Sequence, residues 1–492
     1  MYFHNFFYDQ KKTFRALLIF SGIINLLFFL IIFDIPWLSD DYPLVFGPKL
    51  YNLINDNFIT LDTGYIHQGR FVPLYSLAYQ IIPDSYQVFH FLIVFLNFIS
   101  TLFFYLITKE LFKSNKIALL SSLLFAIHYS ITIKPLIWIA FYGHIANCFF
   151  GLASIYFFLR YLNNNKITFL IASTTSILLG SMIMESGLVY SVLLFLIVLL
   201  FKKRSFKNLT LSLIPIFIYF GISSFADNSA FEFLKERTGT KITNKTITII
   251  EDEKNKGQNS ELYWYRSTYA PRNIKGYSLR IFDNILNSIN LSSLEKSIKT
   301  IDKSGVLRKT IKDNLSIFLL FFSTVFLIYI FTTFSKIKQT KNYYIYLKLL
   351  LLYFSILFIY TFVFFRRDLA IALSFPSTLI ISFIFFDLIK EKASKLAILT
   401  LSLFVIPSII YIFTMFEYFS NHGSVKQIKK TYNLYNRKLS TEEIENKLLS
   451  EDDFKYYYFY KNFKQKKEDL RIYKDLTYRE FKMKFLKNKN LK

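Results

Sequence analysis

Asp34-Ile35-Pro36-Trp37-Leu38-Ser39-Asp40-Asp41-Tyr42 follows directly on the apolar run Phe14–Phe33. A run of that length spans a bilayer, and hydrocarbon excludes charge, so the acids after it stand at or beyond the membrane surface. Trp37 and Tyr42 suit the same interface. Two adjacent carboxylates are thus placed where a lipid-borne substrate could reach them. Asp41 also suits the plainer role of a helix cap or turn ligand.

Ten further apolar runs follow this first one. They are Val88–Ile107, Ile117–Tyr129, Leu136–Tyr161, Ile167–Met184, Leu188–Phe201, Leu211–Phe225, Leu315–Phe334, Tyr343–Phe365, Leu369–Ile389 and Leu396–Phe416. The fold class is therefore an all-α polytopic membrane protein with about 11 transmembrane helices. Lys11, Lys12 and Arg15 hold the N-terminus on the cytoplasmic side. Each short connector assigned to the cytoplasm is basic: Lys109 to Lys116, Arg160 to Lys166, Lys202-Lys203-Arg204, Lys336 to Lys341 and Lys390 to Lys395. Arg366-Arg367 is the external exception.

Composition agrees. Of the 492 residues, 53% are hydrophobic and 20% aromatic. The net charge of +25 would suggest nucleic acid in a soluble chain. Its place between apolar runs suggests anionic lipid headgroups instead. The single cysteine, Cys148, lies in an apolar run, which excludes an intramolecular disulfide and a cysteine metal site. Neither a Walker sequence nor a dinucleotide glycine pattern occurs, so ATP coupling and NAD chemistry lack support. The wealth of Lys, Asn, Ile, Phe and Tyr, without targeting features, favours a bacterial inner membrane with the site facing the periplasm or exterior.

The domain plan is residues 1–225, a membrane module carrying an external loop at 34–87; 226–314, a large external loop or small domain; 315–416, the last spans; and 417–492, a basic tail. Short surface helices are expected within Phe46–Phe58. Pro135 and Pro215 should break or bend the path. Glu185-Ser186-Gly187 marks a turn between two short apolar segments. Ser440-Thr441-Glu442-Glu443 has the form of a capping box. Eleven spans put the tail outside with the first loop; one crossing fewer puts it inside.

Polar groups at membrane depth are paired or functional. Of Asp40 and Asp41, one could take a proton from an acceptor while the other orients or holds it. Arg366 and Arg367 offer the fork of donors that suits phosphate, with Arg70 a weaker candidate. Snorkelling, or pairing with Asp368, is the alternative for the first two. Glu185 could bind a sugar hydroxyl or an amine, or pair with an arginine. His128 and Trp138 lie toward the outer end. His90, Asn97, His144 and Asn147 read as helix–helix hydrogen-bonding groups. The histidines lack short-range partners, so zinc is not expected.

These features together resemble the GT-C membrane glycosyltransferases, especially relatives of the protein O-mannosyltransferases and aminoarabinose transferases. The resemblance covers about Leu17 to Ser377 and rests on Ser39-Asp40-Asp41-Tyr42, Gly69-Arg70-Phe71-Val72-Pro73-Leu74, Phe125-Ala126-Ile127-His128 with Ile137-Trp138-Ile139, Met184-Glu185-Ser186-Gly187, and Arg366 to Pro376-Ser377. It implies a GT-C-like bundle in which Asp40 or Asp41 is the base or orients substrate. Arg70 and one of Arg366 or Arg367 would bind the donor phosphate. Glu185, His128, Trp138 and Tyr42 would contact substrate. The chain departs from the pattern at Met184, where a basic residue is usual, and at Tyr129, where proline is common.

The expected activity is an inverting transfer of a sugar from a polyprenyl-phosphate donor to a protein, lipid or polysaccharide acceptor. No cofactor is required, although two adjacent acids leave a divalent metal open. The alternatives are a flippase for polyprenyl-linked glycans, against which stands the lack of an internal repeat, and a glycan polymerase or ligase.

Overall fold

A computed structural model of the chain describes residues 9–33, 35, 41–59, 72–75, 77–128, 139, 142–202, 205–224, 281, 284–285, 342–362, 371–421, 460–461, 463–476, 481 and 484–485. Helices dominate, and no strand occurs among the described residues. In chain order they are α1 (Gln10–Ile32), α2 (Asp41–Ile54), α3 (Leu77–Ile81), α4 (Tyr86–Phe112), α5 (Asn115–Ala126), α6 (Tyr142–Asn164) and α7 (Ile167–Ile183). Then come α8 (Leu188–Phe201), α9 (Phe206–Ser224), α10 (Tyr343–Phe362), α11 (Ser374–Lys390), α12 (Ser394–Asn421) and α13 (Phe463–Leu470).

Among the described residues, five helices are long and apolar enough to cross a membrane: α1, α4, α6, α9 and α10. This is an all-α membrane protein. Shorter apolar helices include α5, α7, α8 and the first part of α12. The expected span Leu315–Phe334 lies outside the described residues, as do Glu251-Asp252-Glu253, Tyr263-Trp264-Tyr265, the Ser440–Glu443 capping box and Pro135.

Polar residues set the helix starts. The Asp9 carboxylate accepts from the Lys11 and Lys12 amides at 2.9 and 3.2 Å and opens α1. Ser85 and Ser114 cap α4 and α5 in the same way. Pro215 lies inside α9 and Pro407 inside α12.

Lipid is as apolar as leucine, so burial alone does not hold membrane helices together; close packing and interhelical hydrogen bonds do. The Asn97 amide donates to Asn25 Oδ1 at 2.9 Å, joining α4 to α1. Ser154 and Ser173 join α6 to α7 at 2.9 Å. The Ser191 hydroxyl of α8 donates to the Ser212 carbonyl of α9 at 2.6 Å. In α11, Asp387 accepts from the Asn342 amide and from the Tyr346 hydroxyl of α10, both at close to 2.9 Å. Gly151 admits the Tyr190 ring: a Cβ there would lie 2.2 Å from it.

The first loop is more deeply built in than its sequence suggests. α2 begins at Asp41 rather than near Phe46, and it buries Val45, Phe46, Leu50 and Ile54 in the main core. Its C-terminus closes with Asp56 in the left-handed conformation (φ 56°) and the Asn57 amide on the Asn52 carbonyl at 2.9 Å.

The C-terminal segment packs onto this helix. Leu470, Tyr473, Phe481 and Phe485 are buried in the same core. The Tyr51 hydroxyl donates to the Leu476 carbonyl at 2.7 Å, and the Asp475 amide donates to Asn55 Oδ1 at 2.9 Å. Tail and first loop therefore share one end of the bundle. Ile281 and Ile285, from the long stretch before α10, pack against that core too.

Candidate functional site

Two parts of the first loop are anchored independently. Just past α1, the Ile35 carbonyl accepts a hydrogen bond from His90 Nε2 of α4 at 2.9 Å. His90 is fully buried, and it binds this loop carbonyl. The acidic stretch then leads into α2, whose first two residues are Asp41 and Tyr42. The side chains of Asp41 and Tyr42 lie outside the description, as do Asp40, Arg70, Trp138, Arg366 and Arg367 altogether.

The second anchor joins the end of the loop to the Glu185 turn. α7 ends when Met184 turns extended (φ −151°, ψ 127°), and Glu185–Gly187 forms a single 3-10 turn before α8. The turn folds back tightly on α7. A Cβ on Gly187 would lie 2.6 Å from the Ser181 nitrogen and 2.8 Å from the Gly180 carbonyl carbon, so only glycine fits. The Asn147 amide of α6 donates to Ser186 Oγ at 2.8 Å. On the loop side, the Leu74 amide donates to the Met182 carbonyl at 3.1 Å.

Aromatic rings fill the junction. The Tyr75 ring lies where a Gly143 Cβ would approach within 2.8 Å, beside Met184 at 3.2 Å. Tyr142 donates its hydroxyl to the Tyr75 carbonyl at 3.1 Å, and Tyr79 donates to the Ile139 carbonyl at 3.1 Å. The rings of Tyr79 and Tyr142 meet edge to face at 5.0 Å. Met184 packs as an apolar side chain in this cluster, 7% exposed.

Glu185 is likewise only 7% exposed. A buried carboxylate held on a rigid turn has a fixed direction, which suits a binding or orienting group. His128 follows the last turn of α5, fully buried, with its ring 5.5 Å from that of Phe404 in α12. Among the described residues, no group of three His, Cys, Asp or Glu side chains could hold a metal ion.

The structure thus brings the end of the first loop together with the Glu185 turn. It sets α2, with Asp41 at its start, at the same end of the bundle. Sequence reasoning missed Lys49, Asp84 and Tyr75, which hold the loop, and read Leu74 only as part of a motif. Lys49 offered a signal, as a lone cation inside an otherwise apolar loop segment. The contact of Leu74 is a backbone bond and left no mark in residue type.

Compared with models of protein families and with curated proteins, the chain matches none of them.

Proposed function

We propose that this protein is an inverting membrane glycosyltransferase that uses a polyprenyl-phosphate sugar donor. The observation that carries the reading is the union of the first loop with the Glu185 turn through the Leu74–Met182 hydrogen bond. It unites the end of the loop that bears Asp40 and Asp41 with the turn that bears Glu185, two of the sequence features that resemble GT-C enzymes.

In this mechanism the acceptor hydroxyl or amine attacks the anomeric carbon of the donor. Asp40 or Asp41 takes the proton from the attacking group. The bond to the lipid phosphate breaks, and the phosphate leaves as an anion. It needs electrostatic stabilisation rather than a proton, which Arg366, Arg367 or Arg70 would supply. One displacement with one base inverts the anomeric centre, by analogy with glycoside hydrolysis. Glu185 orients a sugar hydroxyl or the acceptor, while His128, Trp138 and Tyr42 line the approach. The finer topology belongs to the same proposal: eleven crossings in a GT-C-like arrangement, with the first loop and tail on the extracytoplasmic face of a bacterial inner membrane.

The test is chemical. Purified protein is incubated with radiolabelled polyprenyl-phosphate sugars and a membrane extract, beside Asp40→Asn and Asp41→Asn. One substitution should lower label transfer by roughly 100-fold or more, the usual contribution of a catalytic base. A loss of less than about tenfold in both would remove the acids from the chemistry. Lipid bound but never transferred, across a broad donor and acceptor panel, would favour a flippase.

A further inference from the structure

Three distant parts of the chain meet on one carboxylate. Asp84 stands just before α4. Its Oδ1 binds Lys49 Nζ of α2, its Oδ2 lies 3.7 Å from Lys461 Nζ, and its charge acts on the neighbouring Tyr460 hydroxyl. Lys49 also donates to the Ile82 carbonyl at 2.8 Å, and its side chain is only 9% exposed. Lys461 is 45% exposed, so the Lys49 contact is the inner one and Lys461 the outer.

The place of this contact on α2 matters. Gly47-Pro48 lies mid-helix. Proline cannot donate to the carbonyl four residues back, and glycine is the freest residue, so the two turns from Asp41 are weakly joined to the rest. Both residues flanking that weak point are held. Phe46 packs on Tyr460, with ring centroids 5.5 Å apart, and Lys49 is bound by Asp84. Before the acidic stretch, His90 holds Ile35. Asp40 and Asp41 therefore follow one pinned point and precede another.

We propose that Asp84 is a positioning residue for the acidic start of the first loop, and that Tyr460 and Lys461 of the C-terminal segment complete its clamp. The inference rests on the reading of Asp40 and Asp41 as the acids of the site. Asp84 acts through Lys49 and does not touch the reacting atoms.

Full-length protein tests it, with hydrogen exchange over residues 41–54, the unfolding midpoint, and the transfer kinetics of a radiolabelled polyprenyl-phosphate hexose. Asp84→Asn leaves the Lys49 charge buried and unpaired, which alone destabilises. The paired change Lys49→Met with Asp84→Asn removes both charges and isolates the clamp. In the paired variant, amides of 41–54 should exchange about tenfold faster while the spans keep their protection. The kcat should fall about tenfold with donor KM within about twofold. Tyr460→Phe with Lys461→Met should move both readouts the same way by less.

Unchanged exchange over 41–54 overturns the clamp, and so does loosening of the whole bundle in the paired variant. A wild-type kcat despite a loosened helix overturns the positioning role. Wild-type protein that transfers no sugar defeats the transferase reading instead, and exchange over 41–54 then decides the clamp by itself.

Discussion

The two ends of the bundle are held differently. At the end opposite the first loop, acids bind mainly their own or adjoining helices. Glu110 takes Lys113 one turn on at 2.7 Å, and Asp387 takes Lys390 one turn on at 3.5 Å. Asn163 and Asn342 reach those acids from adjoining helices. At the first-loop end Lys49 binds Asp84 across the loop, and the other partners are far more remote in sequence: Lys461 with Asp84, Leu74 with Met182, Tyr51 with Leu476. One end anchors single helices and their neighbours to an interface. The other ties separate segments into one body, as a site with fixed geometry requires.

The sharpest test of that difference is the Glu185 turn. Gly187→Ala drives a methyl group against the backbone of Gly180 and Ser181. It should cost about 2–3 kcal/mol, read from thermal unfolding in detergent. An unchanged midpoint would mean that the turn yields easily and that the end is less rigid than its contacts imply. At the other end, Asp387→Leu removes the acceptor of the Asn342 amide and the Tyr346 hydroxyl. We expect a loss of about 2 kcal/mol, confined to the α10–α11 pair. Loosening that spread to the first loop would erase the contrast.

Titration gives a subtler probe. Burial, then the hydrogen bond and charge of Asp84, hold the Tyr460 hydroxyl neutral beyond the usual phenol range. Its folded value is raised, so its contribution is whole below about pH 10 and is lost as pH rises through the folded value. Among the described residues, Asp84, Lys49 and Lys461 are charged groups gathered there. Proteolysis of segment 463–476 should therefore quicken on going from neutral pH to above about pH 10, the ordinary phenol value. Only the part lost in Tyr460→Phe belongs to the phenol. Equal quickening in both proteins would show that the phenol contributes none of it. The smallest effect belongs to Lys113→Ala. Lys113 is 70% exposed, and the loss should stay below about 0.5 kcal/mol in the same unfolding assay.

Much of the bundle was legible beforehand. The runs Ile167–Met184 and Leu188–Phe201, with a turn at Glu185, reappear as α7, the 3-10 turn and α8. Long apolar stretches ending in lysine carry their own boundaries. Asn97 was read as a helix–helix group, and it bonds Asn25. α2 was harder, because Pro43, Gly47 and Pro48 break its helical signature, and burial rather than propensity stabilises it. The side of the tail was not legible, because charge does not govern long polar regions. Contacts such as Tyr51 with Leu476, 425 residues apart, place the described tail segment beside the first loop. For the proposed site, Glu185 was found from its place between two apolar runs. Lys49 and Asp84 were missed, since neither is unusual until the other is beside it.

The bond from Tyr51 to Leu476 joins nearly the first folded loop of the chain to nearly its last residues. During synthesis at ~5–20 residues per second, α2 is made roughly 20 to 85 s before its partner leaves the ribosome. A chain cut before residue 476 would keep all five of the long apolar helices described and lose this contact of the first loop. Closure of that loop therefore waits on a segment made long after it, and the order of synthesis is written into the fold at the face where the two meet.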